Sequence, residues 1–168
     1  MKKIIGGIVG VLIIAIIGAG VFTRNALYKL KYTKEIKQYA REYNVDPATL
    51  AAVIHFENNF MDINEQYTKG EAVGPFNFKD TKVEKYAKEM GLSNFKKEDI
   101  ANIDTNIKMG AWYISKNFKN NDYKELSVAW LERNKDQDQR MKDYAKQYYA
   151  EKIEKRAKIY KIVHPELK

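Results

Sequence analysis

The fold turns on residues 46–60, "DPATLAAVIHFENNF" from Asp46 to Phe60. Asp46 is a helix-capping residue, and Pro47 fits the first helical position, where a missing N–H costs nothing. Leu50, Val53 and Ile54 recur at helical spacing and define an apolar stripe. Glu57 continues the same spacing, so a carboxylate falls where a hydrophobic residue is expected. It also ends the helix, where the aligned peptide dipoles present partial negative charge. Dipole and apolar surroundings both disfavour an ionised carboxylate. The pattern predicts a glutamate that keeps its proton near neutral pH; the alternative is a side chain that bends out to water. His55 falls on nearly the opposite face and is expected at the surface.

Outward from this helix the chain reads as helices joined by short polar connections, without a β-pattern of useful length. Ile36, Tyr39 and Ala40 mark a helix over residues 33–43. Residues 61–78 lapse into a loop containing Gly70, Gly74 and Pro75, long enough to suggest a function. "DTKVEKYAKEMG" is a helix capped by Asp80 or Thr81 and closed by Gly91. In "DTNIKMGAWYISKNF" the small residues Gly110 and Ala111 share a face with Ile107, Ile114 and Phe118, which permits close helix approach. "YKELSVAWLERN" is a further helix, and a long Tyr- and Lys-rich one runs from Gln139 to Val163 before Pro165. The expected class is all-α.

The chain of 168 residues, 45% hydrophobic, is one domain's worth with ample material for a core. At the N-terminus Lys2 and Lys3 precede an uncharged, mostly apolar run from Ile4 to Phe22, long enough to cross a bilayer as a helix. Residues 1–23 are therefore expected to be a membrane anchor, with signal-peptide cleavage near Gly18–Gly20 as the alternative. Residues 24–32 read as a linker and 33–168 as a single domain outside the cell membrane. The net charge of +8 is concentrated before residue 33, where Lys2, Lys3, Arg24, Lys29 and Lys31 meet no acid. The remainder carries 25 basic and 22 acidic residues, too even for a nucleic-acid surface. The surplus beside the span suits an anionic membrane or wall surface instead. Cysteine is absent and His55 and His164 are the two histidines, which excludes disulfides and thiolate chemistry and speaks against a histidine-based zinc site. No metal or other cofactor is expected.

The order of landmarks resembles the lytic transglycosylases with a lysozyme-like (SLT, goose-lysozyme-like) catalytic domain, of the membrane-anchored Gram-positive type. "YAREYNVDPATLAAVIHFENNF" is similar to the family's opening helix pair, in which the second helix ends on a glutamate. "KGEAVGPFNF" resembles its glycine-rich loop, "NIKMGAWYIS" the helix that follows, and "YYAEKIEKRAKIYK" its terminal tyrosine-bearing helix. The likeness covers roughly Tyr32 to Leu167. The chain departs from the family pattern in several places. Asn58 stands where serine is usual and Asn77 where glutamine is usual; Pro75 and Phe76 replace leucine and methionine. The Ala-Tyr-Asn segment reads Ala129, Trp130, Leu131, without the glycine that normally follows.

The resemblance implies a peptidoglycan lytic transglycosylase with Glu57 as its single general acid/base. Glu57 would protonate the glycosidic oxygen between MurNAc and GlcNAc, then take the proton of the MurNAc C6 hydroxyl as it closes on C1 to give a 1,6-anhydro sugar. One glutamate suffices for that route, whereas ordinary glycosidases use two carboxylates. Asn58, Phe76, Asn77, Trp130 and Tyr149 are the candidate substrate-binding residues. Trp130 is read as a stacking platform for a sugar ring or as core. Tyr149 aligns with a family tyrosine that reaches toward the glutamate. Two alternatives stay open: lysozyme-type hydrolysis by the same glutamate, and a catalytically impaired wall-binding or scaffold protein on the same fold. Peptidoglycan strands and the membrane are the expected partners, nucleic acid is not, and a cell-envelope protein complex is left open.

Overall fold

Asp46 starts the central helix as its sequence requires: the side chain accepts from the Ala48 N–H, and Pro47 opens the first turn. A computed structural model describes residues 15–61 and 63–168. Helix α1 spans Thr33–Glu42 and α2 spans Pro47–Asn58. They are followed by α3 (Val83–Glu89), a 3₁₀ turn (Lys97–Ala101), α4 (Ile103–Asn117) and α5 (Tyr123–Glu132). The expected long C-terminal helix is present from Gln139 to Val163 as α6 (Gln139–Tyr144), a π-helical turn (Ala145–Tyr149) and α7 (Ala150–Val163). The Ala145 carbonyl accepts from Ser127 Oγ of α5 at 3.0 Å, and such an inserted side chain is a physical cause for a local change of helical register. A 3₁₀ turn, Pro165–Leu167, ends the chain. Among the described residues there is no strand, only an isolated bridge between Val73 and Phe78. The all-α expectation holds.

Helix α2 lies in the middle, packed chiefly on α7, with α1 and α4 also against it. Every residue from Ala48 to His55 is buried, so the helix is covered all round and is not amphipathic. That corrects the reading of His55. It is not a surface residue: it is 7% exposed, with Nδ1 2.9 Å from the Tyr160 hydroxyl and Tyr28 packed against the ring. The expected caps of α3 also fail, because tertiary partners claim them. Asp80 accepts from the Tyr67 hydroxyl and Thr81 donates to the Asn134 carbonyl, so the helix starts after Lys82 with no side-chain cap.

The stretch 24–32 is fastened to the domain. Arg24 pairs with Glu166 at 2.8 Å, the Lys29 carbonyl accepts from the Tyr160 hydroxyl, and His164 Nε2 lies 2.6 Å from the Tyr28 carbonyl. Of the apolar run Ile4–Phe22, residues 4–14 lie outside the described residues. Residues 15–22 are helical, with Ile16, Ile17, Val21 and Phe22 exposed. Among the described residues no helix is long and apolar enough to cross a membrane.

Candidate active site

Two close approaches build the floor of the site. Gly110 of α4 lies against the Phe76 ring, and a Cβ at this position would come within 2.2 Å of a ring carbon. The small-residue face read from the sequence thus receives a loop aromatic rather than another helix. Gly74 begins the turn with φ +76°, and a Cβ there would collide with the Asn106 side chain. Asn106 is fully buried and spans the gap. Its Oδ1 accepts from the Phe76 N–H at 2.9 Å, and its Nδ2 donates to the carbonyls of Val73 and Ile100. Every polar atom of this amide is used, which makes the loop position strict. The turn closes where Val73 and Phe78 exchange backbone hydrogen bonds of 2.9 and 3.1 Å, and Asn77, at φ +48°, is turned toward the end of α2.

Glu57, in the last turn of α2, meets this loop. Its side chain is 12% exposed, so partial burial is as expected. Apolar isolation is not. Oε2 lies 2.7 Å from Arg133 Nη2, just beyond the end of α5, and accepts from Asn77 Nδ2 at 3.3 Å. Oε1 accepts from the Trp130 indole N–H at 2.7 Å. Three donors from two distant segments therefore converge on one carboxylate, the arrangement that orients an anion most firmly. Arg133 is itself 8% exposed and held on every side. Its Nε donates to the Phe76 carbonyl, Nη1 to the Trp130 carbonyl and Nη2 also to the Asn77 carbonyl, and its Cζ lies over the Trp130 ring, 4.4 Å from the centroid. Burial acts against the guanidinium charge and Glu57 acts to restore it.

The other sequence candidates fall around this centre in different roles. Asn77 reaches the carboxylate. Asn58 does not: Nδ2 donates to the Pro75 carbonyl at 2.9 Å and Oδ1 accepts from the Phe60 N–H, so it ties the helix end to the loop. Phe76 is fully buried on Gly110 and edge-on to Trp130, leaving no face for a ligand. Trp130 is 1% exposed among Phe76, Phe78, Tyr113 and Arg133. No stacking platform remains, and its contribution to the site is its indole N–H. The Tyr149 ring packs against Phe56 at 5.0 Å and Tyr144 at 5.4 Å, beside the site but not on the Glu57 carboxylate. Leu131 is half-buried on α5.

Arg133 and Asn106 escaped the sequence reading. A signal existed for Arg133: with Leu126 and Trp130 it continues the buried spacing of α5, so a cation stands where an apolar residue is due, as Glu57 does on α2. Asn106 carries no such mark, because asparagine in a helix is ordinary.

Residues 34–155 match the transglycosylase SLT domain, and the chain belongs to that family. Among curated proteins none matches it. Membership supports, in general terms, lytic-transglycosylase-type activity on peptidoglycan, and the all-helical architecture is consistent with its lysozyme-like domain.

Proposed function

We propose that the protein is a peptidoglycan lytic transglycosylase that cleaves the MurNAc–GlcNAc β-1,4 bond with Glu57 as its single general acid/base, leaving a 1,6-anhydroMurNAc end. The observation that carries this reading is the placement of Glu57 within the SLT region: a partly exposed carboxylate at the end of the buried central helix, oriented by Asn77, Trp130 and Arg133. Glu132, beside Arg133 in the chain, and Asp80 have partners of their own. Glu132 holds Lys142 at 2.7 Å and Asp80 accepts from Tyr67 at 2.9 Å. A single-carboxylate route, in which one group first gives and then recovers a proton, needs no second acid. The MurNAc C6 hydroxyl is the internal nucleophile.

The apolar run Ile4–Phe22 supports action at the membrane surface, with the domain facing the wall and residues 24–32 holding it close to the bilayer. A wall-binding protein of low turnover on the same fold is the second reading. It is favoured by one specific observation, that the acid/base candidate is tied into a buried ion pair. The deciding experiment incubates the full chain in detergent with purified peptidoglycan. Anhydro-muropeptides from the native protein and none from a folded Glu57→Gln variant are expected; equal release by both would refute the assignment, and reducing ends would mark hydrolysis.

A further inference from the structure

We propose that Tyr144 and Tyr148 form a stacking platform for a saccharide ring of the glycan strand, beside the Glu57 site and away from the reacting bond. The inference rests on the peptidoglycan reading of that site and deepens it by seating a further sugar of the strand. Trp130 and Phe76, the aromatics expected to hold sugar, are interior at 1% and 0% exposure. Among the described residues the exposed aromatic side chains are Phe22, in the amino-terminal helix, and Tyr144 and Tyr148, each 44% exposed. These two tyrosines touch, with ring centroids 4.6 Å apart and planes inclined at 40°. Aromatic surface gathered into one exposed patch marks an interaction site, whereas single exposed side chains need no explanation.

The π-helical turn Ala145–Tyr149 is what gathers the rings. Its bond runs from the Ala150 N–H to the Ala145 carbonyl, five residues back. In an α-helix, side chains five residues apart point roughly 140° away from each other. The wider winding brings them to one side, and such turns recur at functional sites. Tyr144 therefore has two neighbours: Tyr148, and Tyr149 standing edge-on at 5.4 Å and 89°. With α-helical winding Tyr149 would turn away and the row would be broken.

The row is continuous with the candidate site. It starts at Phe56, the residue before Glu57, passes to Tyr149 at 5.0 Å, and ends on Tyr144 and Tyr148. Its inner end is closed by Arg156, whose guanidinium carbon lies 5.9 Å from the Phe56 ring centroid. Its outer end is open to solvent, as an extended strand leaving the site requires. The chemistry of the patch suits a neutral sugar. A pyranose presents a C–H face and a rim of hydroxyls, and tyrosine offers the matching apolar face with a polar tip. The cations nearest in the chain are already neutralised: Lys142 pairs with Glu132 at 2.7 Å and Lys146 with Glu125 at 3.3 Å. An anionic ligand would find no spare charge from them.

The test is cosedimentation of the full chain in detergent with purified sacculi in the cold, both in the native protein and in Glu57→Gln. Tyr144→Ala and Tyr148→Ala should each weaken binding about tenfold, the scale of one ring face withdrawn from contact. Tyr148 lies at the open end of the row, so Tyr148→Ala decides the matter should Tyr144→Ala disturb Tyr149 and the fold. Tyr148→Phe keeps the ring and should bind within about threefold of the native protein. Undiminished binding by folded Tyr148→Ala would overturn the platform, and so would a loss in Tyr148→Phe as large as in Tyr148→Ala. Altered oligomeric state with undiminished binding would give the patch to a second copy of the chain instead. Sacculi stripped of their stem peptides by an amidase should show the same losses; losses confined to intact sacculi would give the patch to the peptides and end the sugar assignment. Muropeptide release is read separately. Binding that depends on Tyr148 without release of anhydro-muropeptides would sustain the platform and end the catalytic reading, whereas release that depends on Glu57 with binding indifferent to Tyr148 would do the reverse.

Discussion

His55 and Glu57 stand two residues apart on one helix, both largely buried, and their surroundings treat charge in opposite ways. His55 faces Tyr28, Tyr160 and the carboxy-terminal helix; it is bonded to a neutral phenol and lowered by burial to about 4, so it is uncharged at neutral pH. Glu57 faces the loop and α5, where a buried arginine is its direct partner. Burial alone thus does not decide the state of a titratable side chain. The partner supplied across the fold does, since a neutral hydrogen-bond partner leaves the desolvation cost of a charge in place while an opposite charge offsets it. One side of α2 is packed on neutral aromatic partners, and the other carries a buried ion pair.

The contrast can be broken most forcefully at the ion pair. Glu57→Ala leaves the Arg133 cation buried without its carboxylate and should cost about 3–5 kcal/mol in chemical denaturation, the usual penalty for halving a buried pair. The double variant Glu57→Ala with Arg133→Met should recover part of that loss; a double variant less stable than Glu57→Ala would show that the guanidinium is held mainly by its carbonyl partners.

On the His55 side the effect follows pH. The unfolded histidine binds a proton near 6.5 and the folded one near 4, so between these values the unfolded state holds more protons and stability rises with pH. The contribution is complete above about 6.5 and lost as pH falls to about 4, amounting to about 3 kcal/mol. Melting curves across this window should show the loss in the native protein and a smaller one in His55→Gln. An identical slope in both would assign the acid sensitivity to other groups.

The floor of the site gives an intermediate effect. Gly110→Ala drives a methyl group against the Phe76 ring and should destabilise by about 1–3 kcal/mol, with reduced turnover because the Asn77 turn moves with Phe76. Wild-type turnover from a destabilised variant would separate loop packing from the orientation of Glu57. Smallest of all, Leu131→Asn exchanges a half-buried apolar side chain on α5 for a poorer helix former and should lower stability by about 1 kcal/mol, as judged by its melting temperature.

Much of the architecture was legible because it depends on local rules. The cap and proline at Asp46–Pro47, the periodic stripes of α1, α4 and α5, and the stop before Pro165 act over a few residues and appear at the expected places. Glu57 was legible for the same reason, as a carboxylate out of place in an apolar pattern. The caps foreseen for α3 failed because Tyr67 and Asn134, far from them in sequence, supplied stronger partners for Asp80 and Thr81.

By itself, then, the sequence determined the helical class, the compositional balance, the position of the central helix and the carboxylate that interrupts its apolar pattern. Tertiary structure alone decided that Glu57 is paired and not isolated, that His55 is enclosed, that Phe76 and Trp130 are interior, and that residues 24–32 are fastened to the back of the domain. Periodicity reports which face of an element is buried, and it is silent on what that face is buried against. A carboxylate on an apolar stripe meets either a hydrocarbon wall or a guanidinium, and that choice is made by residue 133, 76 positions away along the chain.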